Sequence, residues 1–316
     1  MRDIAVFSGS AHPDLAAEVC RHLEVPLHPV RVSRFSTDCL EVQLQESCRE
    51  RDVFLVQPLV APVQENLVEL LLMLDAARGA SAARTTVVMP YFAYARSDKK
   101  DAPRISIGAR LVADLLVTAG ANRVLAMAMH SPQVHGFFSV PVDHLHALRE
   151  LAGYFERYDL SNAVVVSPDL GNVKEAAAFG RLLGIPAAAG AKERFADDRV
   201  VISSVIGDVA GRDVIVLDDE IAKGSTVLEL LERLRELNVR SVRVACTHGL
   251  FASGALKRLS DQPDVLEIVC TNTVPIPPTD EQTGKLTVLS IAPALAEAMR
   301  RIHIGESVSA LFHDGI

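Results

Sequence analysis

One stretch limits the possible folds of this chain more than any other. Residues 213–226 read DVIVLDDEIAKGST. Val214, Ile215, Val216 and Leu217 form a short apolar run rich in β-branched residues, the pattern of a strand buried on both faces. Asp218, Asp219 and Glu220 follow as an acidic turn, and Ala222, Lys223, Gly224, Ser225 and Thr226 as a loop of mostly small residues. Val227, Leu230, Leu231 and Leu234 then keep helical spacing. Strand, acids, loop and helix in that order make one unit of an α/β fold. A small-residue loop at a helix N-terminus offers backbone N–H groups and hydroxyls to a phosphate, and the peptide dipoles favour it. Acids at a strand's carboxyl end accept hydrogen bonds from sugar hydroxyls or hold a divalent cation, in the crevice where open α/β sheets bind ligands. A sugar phosphate uses both halves. DDE or GST alone would suggest an ordinary turn with solvated carboxylates and a hydroxyl cap; their contiguity with a buried strand points to binding.

The rest of the chain supplies more such units. Ile4–Phe7, Asp52–Gln57 and Thr85–Pro90 read as strands, with helical patterns over 14–22, 67–77 and 109–119 between and after them. A second series begins at Val164-Val165-Val166-Ser167-Pro168-Asp169 and continues through Val242–Cys246, Leu266–Thr271 and Leu286–Ser290. The expectation is an α/β protein of two similar halves, each a mainly parallel sheet flanked by helices, with a boundary near residue 146. At 316 residues there is room for two cores. Two similar halves suit a reaction that joins two substrates.

Charge and cysteines narrow the class. With 32 basic and 40 acidic residues the net charge is −8, which excludes a role in coating nucleic acid and requires local positive charge for any anionic ligand. The five cysteines are scattered without a CxxC pair, which argues for reduced thiols in a cytoplasm and against a zinc site. No signal peptide or membrane-length apolar run is present, so a soluble, cytoplasmic protein is expected.

Residues 90–100 read PYFAYARSDKK. Two tyrosines, a phenylalanine, Arg96, Lys99 and Lys100 directly after a strand could stack a purine and hold polyphosphate. Residues 124–138, VLAMAMHSPQVHGFF, end another strand at His130, and residues 191–198, AKERFADD, form a polar stretch without strand or helix periodicity, read as a mobile loop.

Together these segments resemble ribose-phosphate diphosphokinase (PRPP synthetase), a family built from type I phosphoribosyltransferase-like domains. Residues 213–226 resemble the phosphoribosyl-diphosphate-binding motif, residues 90–100 the family's PYFGYARQDRK, residues 130–138 its HxxQxxGFF, and residues 167–172 its SPDxGG. THG at 247–249 and the ending RIHIGESVSALF match as well. The resemblance implies transfer of a diphosphoryl group from ATP to the C1 hydroxyl of ribose 5-phosphate, with Mg²⁺. It places Phe35, Arg96, Ser97 and Lys99 on ATP, and His130 on Mg-ATP. Asp169 falls near the pentose phosphate as a metal ligand. Asp218, Asp219 and the loop Ala222 to Thr226 fall on ribose 5-phosphate, and Lys192 and Arg194 act as the catalytic cations of the 191–198 loop. It also implies an N-terminal domain, 1–146, on the ATP side, a C-terminal domain, 147–316, on the pentose side whose last residues pack back on the first, and a homo-oligomer, dimer or hexamer. ATP and ribose 5-phosphate are the expected partners, with neither nucleic acid nor membrane.

Several positions depart from the family's pattern. Its FxDGE is Phe35-Ser36-Thr37-Asp38-Cys39 here, the aspartate two before the histidine is Ala128, and its DTGGT loop is Ala222-Lys223-Gly224-Ser225-Thr226. Lys223 adds a cation where a phosphate sits, so the pentose-phosphate side is intact. Thr37 and Cys39 bear on the nucleotide, and Ala128 on the metal. A non-catalytic regulatory paralogue, or a related enzyme with another phosphoryl donor or acceptor, stays open on the sequence alone.

Overall fold

The computed structural model describes residues 3–194, 200–276 and 284–311. They divide into two compact units, one of residues 3–145 with 273–275 and 291–311, the other of residues 146–194 and 200–272 with 276 and 284–290.

The first unit is built on a parallel sheet. Its strands are β1 (Ile4–Ser8), β2 (Leu27–His28), β5 (Asp52–Val56), β6 (Arg84–Met89), β7 (Arg123–Met127) and β8 (Val142–Leu145), in the order β2-β1-β5-β6-β7-β8. Every neighbouring pair in it is parallel. Helices cover both faces of such a sheet, so its strands are continuous apolar runs; all five residues of β5 are buried. A separate antiparallel hairpin joins β3 (Val30–Arg34) to β4 (Leu40–Leu44). The covering helices are α1 (Pro13–Leu23), α2 (Val63–Gly79), α3 (Gly108–Ala119) and α8 (Ala292–Ile304). On α2, Leu67, Leu70, Met73, Leu74 and Ala77 bury one face at helical spacing against Leu55, Val87 and Val124 of the sheet. The last helix, α8, packs on α1. Its end is fastened through Asp52, 4 % exposed, which accepts from Arg84 Nε at 2.8 Å and lies 2.9 Å from His303 Nδ1, while Arg84 Nη2 donates to Ile302 O at 2.9 Å.

The second unit carries a seven-stranded sheet: β9 (Ala163–Ser167), β10 (Ala187–Arg194), β11 (Val200–Ile206), β12 (Asp213–Ile221), β13 (Ser241–Gly249), β14 (Val265–Thr271) and β15 (Leu286–Leu289), in the order β11-β10-β9-β12-β13-β14-β15. All pairs are parallel except β10 with β11. Helices α4 (Leu148–Phe155), α5 (Val173–Leu183), α6 (Ser225–Glu236) and α7 (Ala255–Ser260) cover it. The four α6 residues read as helical from the sequence, Val227, Leu230, Leu231 and Leu234, are all buried in the core against Val214 and Val216 of β12.

Three expectations are corrected. Asp218, Asp219 and Glu220 do not form a turn: β12 runs through them to Ile221, with Asp218 opposite Cys246 and Glu220 opposite His248 on β13. Ladder pairing with a long neighbour overrides the turn propensity of consecutive acids. Residues 191–194, read as loop, are the end of β10, where Lys192 stands opposite Ile202 and Arg194 opposite Val200 of β11. Strand β11 has its own Val-Val-Ile run, and antiparallel pairing draws the polar partner into the sheet. The rest of that stretch, 195–198, lies outside the described residues. The helix read from Ser253 begins only at Ala255, because Ser253 and Gly254 are left-handed.

Candidate active site

At the carboxyl end of β12 the ladder delivers three buried or half-buried acids, and Asp219 and Glu220 are 8 % and 7 % exposed. Asp218 Oδ1 accepts the backbone N–H of Asp219 at 3.0 Å. Burial pushes the Asp218 carboxyl well above the usual carboxylate range, and the Asp219 charge, a hydrogen bond with the Asp219 carboxyl and the Asp169 charge push the same way. Asp218, Asp219 and Asp169, separate in sequence, thus act on one another electrostatically. Asp169 follows β9, where its Oδ1 accepts from Gly171 N at 2.9 Å and Asn172 N at 3.2 Å, immediately before α5. A concentration of mutually repelling carboxyls is relieved by donors or by a cation, which is what sugar hydroxyls and a divalent ion supply.

The loop from Ala222 to Thr226 leads into α6. Gly224, φ 71°, is the residue before its first turn, and only glycine takes that left-handed conformation without strain. Ser225 and Thr226 open the helix, so their backbone N–H groups have no intrahelical acceptor. Lys223 is exposed, and its carbonyl accepts from Arg258 Nη2 at 2.6 Å, with Arg258 Nη1 on Ser253 O at 2.5 Å. Arg258 on α7 thereby fixes the loop from outside it. Nothing local in the sequence signals that role, nor the burial of Glu220 opposite His248, whose signal was only that it is the third of three acids.

In the first unit the predicted nucleotide residues follow β6 and β7. Arg96 ends a 3-10 turn, Ala93–Arg96. Ser97 is engaged with α3: its Oγ accepts from Gly108 N at 2.9 Å and its carbonyl from Ala109 N at 3.1 Å. Lys99 is exposed, 3.7 Å from Asp101 Oδ1. His130, exposed, lies three residues beyond β7. Ser131 Oγ donates to Asp98 Oδ2 at 2.6 Å, so the Arg96–Lys99 loop and the His130 loop are joined by their own side chains. Asp98 and Ser131 were not singled out from the sequence, although both sit inside the two motifs. Phe35 is elsewhere in the unit, at the tip of the β3–β4 hairpin and 54 % exposed; Arg34 secures that hairpin with ion pairs to Asp38 at 2.8 Å and to Glu65 of α2 at 2.6 Å. A cavity of about 380 Å³ beside it has Ser10, Arg34, Asn66 and Glu69 in its lining and no predicted site residue. The side chains of Lys192 and Arg194 lie outside the description.

Among the described residues no group of three His, Cys, Asp or Glu side chains is arranged to hold a metal alone. The donor set still fits Mg²⁺, which keeps several waters and binds through one or two carboxylates plus substrate phosphates. The crowding of Asp218, Asp219 and Asp169 is the observation that supports this fit.

Comparison with known proteins bears on the family. A family model described as the N-terminal domain of ribose phosphate pyrophosphokinase matches residues 4–120, and one described as the phosphoribosyl synthetase-associated domain matches residues 201–313. A Streptomyces coelicolor protein, provisionally named a ribose-phosphate pyrophosphokinase, is 80 % identical over 312 residues, 99 % of this chain and 98 % of its own length. The ribose-phosphate pyrophosphokinase of Deinococcus radiodurans is 47 % identical over 313 residues, 98 % of each chain. The crystal structure of phosphoribosylpyrophosphate synthetase from Mycobacterium smegmatis superposes with a TM-score of 0.90 at 40 % identity, covering 96 % of this chain and all of that one. Full-length identity at these levels, on a shared fold, shows that the chain belongs to the ribose-phosphate pyrophosphokinase family.

Proposed function

We infer that this chain is a ribose-phosphate diphosphokinase, transferring the β,γ-diphosphoryl group of ATP to the C1 hydroxyl of ribose 5-phosphate to give PRPP and AMP. The observation that carries the reading is the β12–α6 unit, where mutually repelling carboxyls end a strand and Gly224 opens a helix N-terminus two residues after Ala222. Relatives along the whole chain bear the name of that enzyme.

In this reading Asp218 and Asp219 accept hydrogen bonds from the ribose hydroxyls. The N–H groups of Ser225 and Thr226, the α6 dipole and Lys223 hold the 5-phosphate. Arg96 and Lys99 take the ATP phosphates, with Ser97 and Phe35 on the nucleotide. The C1 hydroxyl oxygen attacks the β-phosphorus and releases its proton to solvent, the bond from that phosphorus to the α,β-bridging oxygen breaks, and AMP leaves with the electron pair. Lys192 and Arg194 neutralise the charge that moves. Positioning and electrostatics carry most of the rate in such a transfer. Asp169 would hold Mg²⁺ beside the pentose phosphate, and His130 would serve the Mg²⁺ that accompanies ATP; the ion supplies charge neutralisation on the phosphate oxygens.

Assembly into a homo-oligomer, dimer or hexamer, belongs to the same reading. Exposed Leu111 and Leu115, one helical turn apart on α3, support it. So does exposed Phe35, which would reach a neighbouring subunit's nucleotide. A cytoplasmic location is supported by five free cysteines, and among the described residues no helix is long and apolar enough to cross a membrane.

Phosphorus NMR of the purified protein with ribose 5-phosphate, Mg²⁺ and ATP tests the function. Growth of PRPP and AMP signals is expected. PRPP from another triphosphate only would reassign the donor, and silence with every donor, from protein that binds ribose 5-phosphate, would overturn the enzyme in favour of a regulatory relative.

A further inference from the structure

The loop that carries His130 starts from an unfavourable backbone. Ala128, directly after β7, has φ 42°, in the left-handed region where a side chain crowds the adjoining carbonyl. Such a conformation persists only where its surroundings over-determine it. Three hydrogen bonds do so here: Ala128 N–H to Leu145 O at 2.8 Å, Met129 N–H to His144 Nε2 at 2.7 Å, and the Ser131 hydroxyl to Asp98 at 2.6 Å.

The second of these is the most specific. It grips the residue next to His130, and both partners are shut off from water, His144 at 7 % and Met129 at 4 % exposure. Because an N–H donates to it, Nε2 of His144 carries no proton, and the ring's proton sits on Nδ1. The His135 ring packs edge-on against His144, centroids 4.9 Å apart at 88°, and fixes the plane of the acceptor. Burial holds His135 itself towards its neutral form, so the acceptor faces no added positive charge from that ring.

We propose that His144 is a positioning residue for the transfer reaction: its unprotonated Nε2 holds the Met129 amide, and through that amide the backbone that presents His130 to the nucleotide phosphates. The proposal rests on the diphosphokinase reading, and its test separates the two. His144→Phe keeps an aromatic ring and removes the acceptor; His144→Gln returns an amide oxygen near the place of Nε2. The chain has six methionines, so a ¹⁵N-methionine spectrum is sparse, and Met129→Leu identifies the resonance.

His144→Phe is expected to speed exchange of the Met129 amide about ten-fold, the worth of one buried hydrogen bond. It should lower kcat about 10–100-fold, as loss of a supporting contact does, with the KM for ribose 5-phosphate within about two-fold. His144→Gln should bring both back to within about three-fold of the wild type. Unchanged Met129 exchange in His144→Phe would overturn the proposal. So would equal loss of activity in both variants, since His144 would then be acting as packing alone. If the unmodified protein makes no PRPP, the activity reading fails, and Met129 exchange still decides whether His144 sets the loop.

Discussion

The two regions that carry the predicted chemistry are made differently. At the end of β12 the acids belong to the ladder, and the phosphate loop follows without a break in one segment of fourteen residues. At the end of β7, His130 sits three residues past the strand, on backbone held by partners from β8 and from the loop after β6. The first region holds its groups by regular structure; the second holds them by a few individually replaceable hydrogen bonds.

That contrast can be broken or sharpened by substitution. If grip and charge neutralisation are separate tasks, Lys192→Ala should lower kcat by about 10²–10³-fold, roughly 3–4 kcal/mol of transition-state stabilisation, with ribose 5-phosphate affinity nearly unchanged. A fully active variant in steady-state kinetics would remove Lys192 from the mechanism. Gly224→Ala tests the rigidity of the β12 end. A side chain at φ 71° costs about 1–2 kcal/mol, to be read as a lower Tm together with weaker ribose 5-phosphate binding by calorimetry.

Asp218→Asn tests whether the acids are strained for function. The folded Asp218 carboxyl has a raised pKa, so the protonated form favours folding, and the stability it lends is complete below the unfolded carboxylate value. That stability is lost as pH rises through the folded value. The ligand-free variant should therefore gain about 0.5–2 kcal/mol over the wild type at neutral pH, with little gain near pH 4, and should bind ribose 5-phosphate more weakly. Melting curves across that pH range check the sign, and a gain independent of pH would refute the strain. The smallest effect belongs to the other region. Ala128→Gly relieves the left-handed strain but adds glycine's unfolded-state entropy, so the net change is a gain of under about 1 kcal/mol by denaturant unfolding. A loss of more than that would mean the Ala128 methyl is doing packing work.

The same contrast explains what could be read from the sequence. The β12–α6 region was legible because strand, acids, Gly224 and helix are contiguous, and local order is what a chain displays directly. Even there the acids were misread as a turn, since the pairing that straightens them comes from β13, 28 residues further on: Asp218 faces Cys246. Lys192 and Arg194 looked like loop for the same reason, their strand being made by β11. In the β7 region the motif around His130 was legible, but its supports were not. His144 reads as an ordinary residue of a short strand, and only the fold brings its Nε2 to Met129. Arg258 holds the Lys223 carbonyl across 35 positions, with no local mark of that use.

The fastening of α8 has a consequence for how the protein is born. Residues 291–311 complete the unit begun by residues 3–145, and Asp52 meets its partner His303 only after 251 positions. At about 5–20 residues per second, synthesis of residues 146–290 takes roughly seven to thirty seconds. For that interval the nascent first unit lacks α8, and the apolar side of α1 that α8 covers stands open to water and to chaperones. The described residues of the second unit, the last of them Ser290, are all made before α8 and have the chance to finish first.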